Sequence, residues 1–308
     1  MTQLDPQIQA VLEAMAAQPQ PAAPPTLDEV RAGASAGHRA LCPPPVEMAS
    51  VETVAIPGPN GDVRCLVSTP RRSDTPLPML VYFHGGGLML LDADDFQPVC
   101  TALAAGADCI VVNVDYRRTP EHPFPQPLDD AFAVYRWCLD NGADIGGDPS
   151  RTAVGGDSAG GYLAAAICLD AKRLDVPQPV LQLLVYPDID ATNRSESMLT
   201  IDAFIGVDQV VELHAAHCGD QLLDPRASPI HAADHSGLAP AFILLAGHDP
   251  FVDQGRAYAA VLRAAGVPVT LSCYEGTIHA FFTMGGAVDV ANAAVAEAAT
   301  NLARAFAR

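Results

Sequence analysis

In Gly156-Asp157-Ser158-Ala159-Gly160 a serine stands with glycine two positions before it and two after. The preceding Thr152–Gly155 reads as a strand, and the almost wholly apolar Tyr162–Leu169 reads as a helix. Small residues at those spacings let a strand-to-helix turn close sharply enough to lift Ser158 Oγ above the strand's carboxyl end, where helix amides point at developing negative charge. The same pattern arises by chance in glycine-rich turns capped by Ser or Asp; the flanking strand and helix favour a nucleophile. A nucleophilic serine needs a base, and the base needs an orienting carboxylate. Strand Ala241–Ala246 ends in Gly247-His248-Asp249-Pro250, and strand Val269–Tyr274 runs into Glu275-Gly276-Thr277-Ile278-His279. In a parallel sheet both loops leave the same edge as Ser158. Asp249 and His279 alone are ordinary residues; the chain order Ser158, Asp249, His279 after successive strands makes them the acid and base. Tyr82-Phe83-His84-Gly85-Gly86-Gly87 follows another apolar strand, and its glycines leave amides open to a ligand. The amides of Gly85, Gly86 and Ala159 are the expected donors to an oxyanion. Acyl transfer through a serine ester needs neither a metal nor an organic cofactor.

Several neighbours need separate readings. Asp253 lies four residues past Asp249 and is expected to be a first-turn helix carboxylate favoured by the dipole. Asp115 and Arg117 are expected to pair with each other and support the glycine loop. Asp157 is read as holding the turn by hydrogen bonds, because His279 already fills the general-base role. His214 and His217 have a metal-like helical spacing, but no third ligand or His-Glu-x-x-His pattern accompanies them, so no metal is expected. His248 is read as facing solvent. The glycine loop is not a dinucleotide fingerprint: no Gly-x-Gly-x-x-Gly follows the strand, and the loop does not lead directly into a helix.

The elements that must position these groups alternate short β-branched runs with helical patterns, which predicts an α/β architecture with a mostly parallel sheet. Further strands are expected at Val63–Ser68, Met79–Phe83, Cys109–Val114 and Leu181–Tyr186, and helices at about 94–106, 127–140, 159–171, 253–265 and 288–306. Two regions stand outside the alternation: 1–45, broken by Pro21, Pro24 and Pro25, and about 188–225, with an apolar pattern from Phe204 to Leu213. Both are candidates for a lid. The 308 residues are 49% hydrophobic, enough for a substantial core. With 36 acids against 17 bases, a net charge of -19 and a single lysine, Lys172, the chain has no basic patch to follow a nucleic acid or an anionic lipid surface. It shows no secretory leader and no membrane-spanning run, so a cytoplasmic address is expected. Eight cysteines without a Cys-x-x-Cys pair read as free thiols of a reducing compartment, with disulfides an alternative on export.

From about residue 50 to the C-terminus the chain resembles the hormone-sensitive-lipase family of α/β-hydrolase esterases, in which a His-Gly-Gly-Gly loop precedes a Gly-Asp-Ser-Ala-Gly turn. The likeness includes Asp115-Tyr116-Arg117, Pro120-Glu121-His122-Pro123-Phe124-Pro125, Asp129-Asp130 and Ser228-Pro229. It implies an α/β-hydrolase fold with an eight-stranded mixed sheet whose early strands include an antiparallel pair. It also implies a helical cap, built from 1–45 and an insert at 188–225 in a 46–308 catalytic domain, with no cofactor and a short- to medium-chain ester substrate. Arg118, Thr119, Phe251 and Val252 depart from the usual pattern, and Leu88 stands where a bulkier aromatic residue is common, which would reshape the acyl pocket. The predicted function is a carboxylesterase; an amidase or lactonase with the same triad, and a non-catalytic small-molecule receptor of the same fold, are the alternatives. Receptors of this kind lack the histidine present here as His279. A homodimer through Val269–Tyr274 is a further implication of the resemblance.

Overall fold

The computed structural model describes residues 3–18 and 23–308. Helices α1 (Pro6–Ala16) and α2 (Leu27–Leu41) come first. Pro21 lies outside the described residues, while Pro24 and Pro25 lead into Thr26, whose hydroxyl and backbone form a reciprocal capping box with Glu29 at the start of α2. There follow β1 (Ser50–Ile56), β2 (Val63–Thr69), β3 (Leu77–Phe83), α3 (Gln97–Ala107), β4 (Ile110–Asp115), α4 (Gln126–Asn141), β5 (Gly147–Asp157) and α5 (Ala159–Arg173). The chain closes with β6 (Gln182–Val185), α6 (Glu196–Thr200), α7 (Val207–Cys218), β7 (Ala241–His248), α8 (Val252–Ala264), β8 (Val269–Ile278) and α9 (Asp289–Phe306).

The eight strands form one sheet in the order β1-β2-β4-β3-β5-β6-β7-β8. Strands β1/β2 and β2/β4 pair antiparallel and the rest parallel, so the α/β-hydrolase sheet expected from the resemblance is present. Every strand expected from the sequence is there with shifted ends. Strand β1 has no apolar run to announce it; it lies at the sheet edge with most of its side chains exposed. The central strands are apolar throughout because helices cover both faces. Their alternate residues divide accordingly: Val81, Val112, Leu184 and Ile243 pack with α4, α5 and α8, whereas Leu80, Val111, Leu183 and Leu244 pack with α3 and α9. All eight cysteines are free thiols. Among the described residues no helix is long and apolar enough to cross a membrane.

Helix α5 starts so close to the end of β3 that a Cβ built on Gly160 would lie 1.8 Å from the Phe83 carbonyl oxygen and 2.8 Å from that of His84. Neither backbone can retreat without breaking the β3/β5 ladder, where Phe83 is in register with Gly156. Gly160→Ala is therefore expected to destabilise the fold by about 3 kcal/mol or more, the upper range for overpacking. A urea midpoint equal to that of the parent would show that this contact is not limiting.

Candidate active site

Strand β3 leads to β4 on one side, while its neighbour β5 leads to β6 on the other, so a crevice opens between the carboxyl ends of β3 and β5. The glycine loop after β3 and Ser158 after β5 face each other across it. Ser158 has φ 54° and ψ −120°, a conformation that costs a non-glycine residue on the order of 1–3 kcal/mol. The surroundings hold it there: its amide donates to the Val185 carbonyl at 2.9 Å, and its carbonyl accepts from Tyr162 at 3.1 Å and from Asp188 at 3.2 Å. Gly156 is required because a Cβ would lie 2.4 Å from the Phe83 oxygen.

The parallel strands β7 and β8 bring the other two predicted groups to this edge. His279 Nε2 lies 2.8 Å from Ser158 Oγ, and His279 Nδ1 lies 2.8 Å from Asp249 Oδ2. The other Asp249 oxygen accepts from the Phe251 amide at 2.8 Å. Asp249 is wholly buried, which orients the imidazole with Nδ1–H toward the carboxylate and Nε2 toward the hydroxyl. Tyr186 and Phe251 flank the ring at centroid distances of 4.8 and 5.0 Å. Burial pushes the His279 pKa down, but the charge and hydrogen bond of Asp249, with smaller contributions from Asp157 and Asp188, outweigh it and leave the pKa above the ordinary value of 6.5.

The expected oxyanion donors need one correction. The Gly85 amide donates to Asp157 Oδ1 at 3.1 Å and is thus engaged within the protein. Gly86 and Gly87, at φ 109° and 62°, line the cavity, and their amides have no acceptor among the described residues. These two glycines share the cavity wall with Ser158, and the Ala159 amide opens α5 directly behind it. Asp157 also accepts the Tyr82 hydroxyl at 2.8 Å, so it joins the turn to the glycine loop as expected of it. Burial pushes its pKa up to about 6 against the opposing pull of Tyr82, His279 and Gly85. The loop beyond the glycines is held by two of the residues that depart from the family pattern: Thr119 donates its amide to the Leu88 carbonyl at 2.7 Å, and Arg118 donates to the Leu91 carbonyl.

The remaining candidates go elsewhere. Asp115 and Arg117 do not pair. Arg64, directly opposite Asp115 in the β2/β4 register, binds its carboxylate at 3.1 Å, and Arg117 binds Asp130 at 2.5 Å. Asp253 sits in the first turn of α8 and accepts the Ser197 amide at 2.9 Å. His214 binds Asp188 at 2.7 Å, while His217 contacts the Tyr162 hydroxyl at 3.2 Å and is pushed down to about pKa 3 by burial. Among the described residues no cluster suited to a metal ion occurs. His248 is half-buried rather than open to solvent, in register with Ile278. Leu88 is buried and lines a small chamber behind Ala159 rather than the main cavity.

That cavity has a volume of about 840 Å³ and contains Ser158 and His279 in its wall. Val11 of α1, Gly37 and Leu41 of α2, Phe204, and Leu213 of α7 complete it, so both regions outside the β/α alternation border the site. The sequence reading did not pick out Asp188, which lies in the same wall directly after Tyr186-Pro187.

Comparison with known proteins places the chain among esterases of this fold. Residues 80–283 match a family described by the α/β hydrolase fold. The carboxylic ester hydrolase LipN of Mycobacterium tuberculosis is 40% identical over 270 residues, covering 82% of this chain and 72% of that protein. An ethyl acetate hydrolase of Pseudomonas putida is 38% identical over 220 residues, covering 69% of each chain. A hyperthermophilic esterase from the archaeon Pyrobaculum calidifontis superposes with a TM-score of 0.93 at 32% identity, over 98% of this chain and 99% of that one.

The Asp157 link predicts a contrast between two substitutions. Asp157→Ala strands the buried Tyr82 hydroxyl and Gly85 amide and should cost about 2–4 kcal/mol of stability, whereas Asp157→Asn keeps an acceptor and should cost about 1 kcal/mol or less. Equal unfolding midpoints for the two variants would contradict the assigned role.

Proposed function

The chain belongs to the α/β-hydrolase family of carboxylic ester hydrolases, and from that membership we propose that Ser158, His279 and Asp249 hydrolyse esters through a covalent acyl-serine. The observation that carries this assignment is the pair of 2.8 Å contacts joining Ser158 Oγ to His279 Nε2 and His279 Nδ1 to Asp249 Oδ2. His279 Nε2 takes the hydroxyl proton as Oγ bonds to the ester carbonyl carbon. The carbonyl electron pair moves onto oxygen, where the amides of Gly86, Gly87 and Ala159 receive it. Collapse breaks the bond to the alcohol oxygen, and that oxygen takes the proton from His279. Water, deprotonated by the same nitrogen, attacks the acyl-serine; the second collapse returns the proton to Ser158 and releases the acid. Asp249 stabilises the imidazolium formed in each half-reaction through its hydrogen bond to Nδ1.

Residues 1–45 and 188–225 act as a cap on the 46–308 catalytic domain, since side chains from both line the cavity above Ser158. The apolar walls and the volume of about 840 Å³ suit short to medium acyl chains, within the usual range for small-molecule sites. A receptor that only binds its ligand has no need for an imidazole hydrogen-bonded to a strained serine, so the geometry favours turnover.

Nitrophenyl acetate, butyrate and octanoate should be hydrolysed faster than palmitate. Folded Ser158→Ala should lose activity by ~10³-fold or more; retention of the parent's rate in that variant would remove Ser158 from the mechanism. The pH profile supplies a second check. His279 acts as a base only when neutral, and its folded pKa is raised, so kcat/KM should fall with acid through a midpoint above 6.5. An acid limb centred well below that value would refute the balance of charges assigned around the ring.

A further inference from the structure

The cavity wall beside Ser158 carries a carboxylate that the hydrolytic steps do not use. The Asp188 amide binds the Ser158 carbonyl at 3.2 Å, and its side chain, 17% exposed, borders the cavity. His214 Nε2 of α7 holds Oδ2 at 2.7 Å, whereas Oδ1 has only a long 3.4 Å bond from Gln254 of α8 and retains acceptor capacity. Burial pushes the Asp188 pKa up, but the charge and hydrogen bond of His214, with Gln254 and His279, more than offset this and hold it below the ordinary carboxylate value. Among the described residues lining the cavity there is no lysine or arginine; its other ionisable groups are Asp157, His38 and His279. Phe96, Phe204 and Phe251 line the same space and offer ring faces of the kind that attract alkylammonium groups.

Resting on the esterase reading, we propose that Asp188 is a specificity determinant that selects esters bearing an ammonium group, quaternary or primary, over neutral esters of the same shape. An ionised carboxylate in an apolar cavity attracts a cation far more strongly than it would in water, because little solvent screens it. The aromatic walls accommodate the alkyl groups around such a cation. Esters bearing an anion meet Asp188 and Asp157 with no lysine or arginine in the cavity wall to attract them, and the same repulsion speeds departure of the carboxylate product.

The test compares kcat/KM within isosteric pairs at pH 8. Acetylcholine against 3,3-dimethylbutyl acetate places the cation on the alcohol; phenyl (trimethylammonio)acetate against phenyl 3,3-dimethylbutanoate places it on the acyl group. In at least one pair the ratio of cationic to neutral ester should fall tenfold or more in Asp188→Asn, while His214→Gln, which keeps a neutral donor to the carboxylate, should retain the parent's ratio. Ratios unchanged by Asp188→Asn in both pairs would overturn the proposal. Should that variant fail to fold, competition in the parent decides: choline should inhibit neutral-ester hydrolysis at least tenfold more tightly than 3,3-dimethylbutan-1-ol, and equal or weaker inhibition overturns the proposal. Neutral-ester hydrolysis that Ser158→Ala abolishes upholds the esterase reading whichever way the ratios fall. Hydrolysis that survives Ser158→Ala rejects that reading instead.

Discussion

Ser158 holds a backbone conformation that a side chain resists, and the arrangement of the site follows from the contacts that enforce it. The turn closes because Gly156 and Gly160 let β5 and α5 touch the last carbonyl of β3. That contact also brings the end of β3 beside the nucleophile, so the strained serine and the glycine loop share one piece of backbone. Asp157 reinforces the junction by accepting from Tyr82 within β3 and from Gly85 just beyond it. With Gly85 so occupied, the loop turns through Gly86 and Gly87 and frees their amides toward the cavity. Strain at one residue thus orients the Ser158 hydroxyl and places it beside the free amides of the glycine loop.

The meeting of Ser158, His279 and Asp249 was legible because each follows the end of a strand, and parallel strands put their ends on one edge. Ser158, Asp249 and His279 needed only strand identity and chain order to be grouped. The free amides of the glycine loop were only partly legible: consecutive glycines announce exposed amides, but which amide is free depends on the path of the loop and on Asp157. Pairing of Asp115 was misread because sequence proximity to Arg117 conveys nothing about register; Arg64, distant in sequence, stands directly opposite it. Strand β1 was missed because an exposed edge strand lacks the apolar continuity of the central ones. Asp188 escaped notice because its partner, His214, reaches it from a helix 26 residues later, over an irregular connection with no local periodicity to follow.

Electrostatics around the imidazole show a consistent sign. Asp249, Asp157 and Asp188 all favour the protonated form of His279, while burial opposes it. A protonated imidazole at this position is therefore stabilised by fixed carboxylates. Raising the base pKa strengthens proton abstraction but depletes the neutral form in mild acid. The environment trades activity at low pH for stabilisation of the charged intermediate.

The cavity's outer wall is tied to the same loop as its chemistry. Arg31 of α2 donates to the Met89 carbonyl and the Thr119 carbonyl, both at 2.9 Å, and pairs with Glu121 at 2.6 Å. Thr119 in turn holds Leu88, next to Gly87. A displacement of α2 would therefore act on the segment that follows Gly86 and Gly87. Arg39, farther along α2, reaches the buried carboxylate of Asp95 at 2.6 Å, giving the helix a second attachment just before α3. Apolar contact alone would let α2 slide across the cavity mouth, because such contact is not directional. These charged hydrogen bonds prescribe a geometry, so the helix that helps bound the cavity is held in register with the glycine loop beside Ser158.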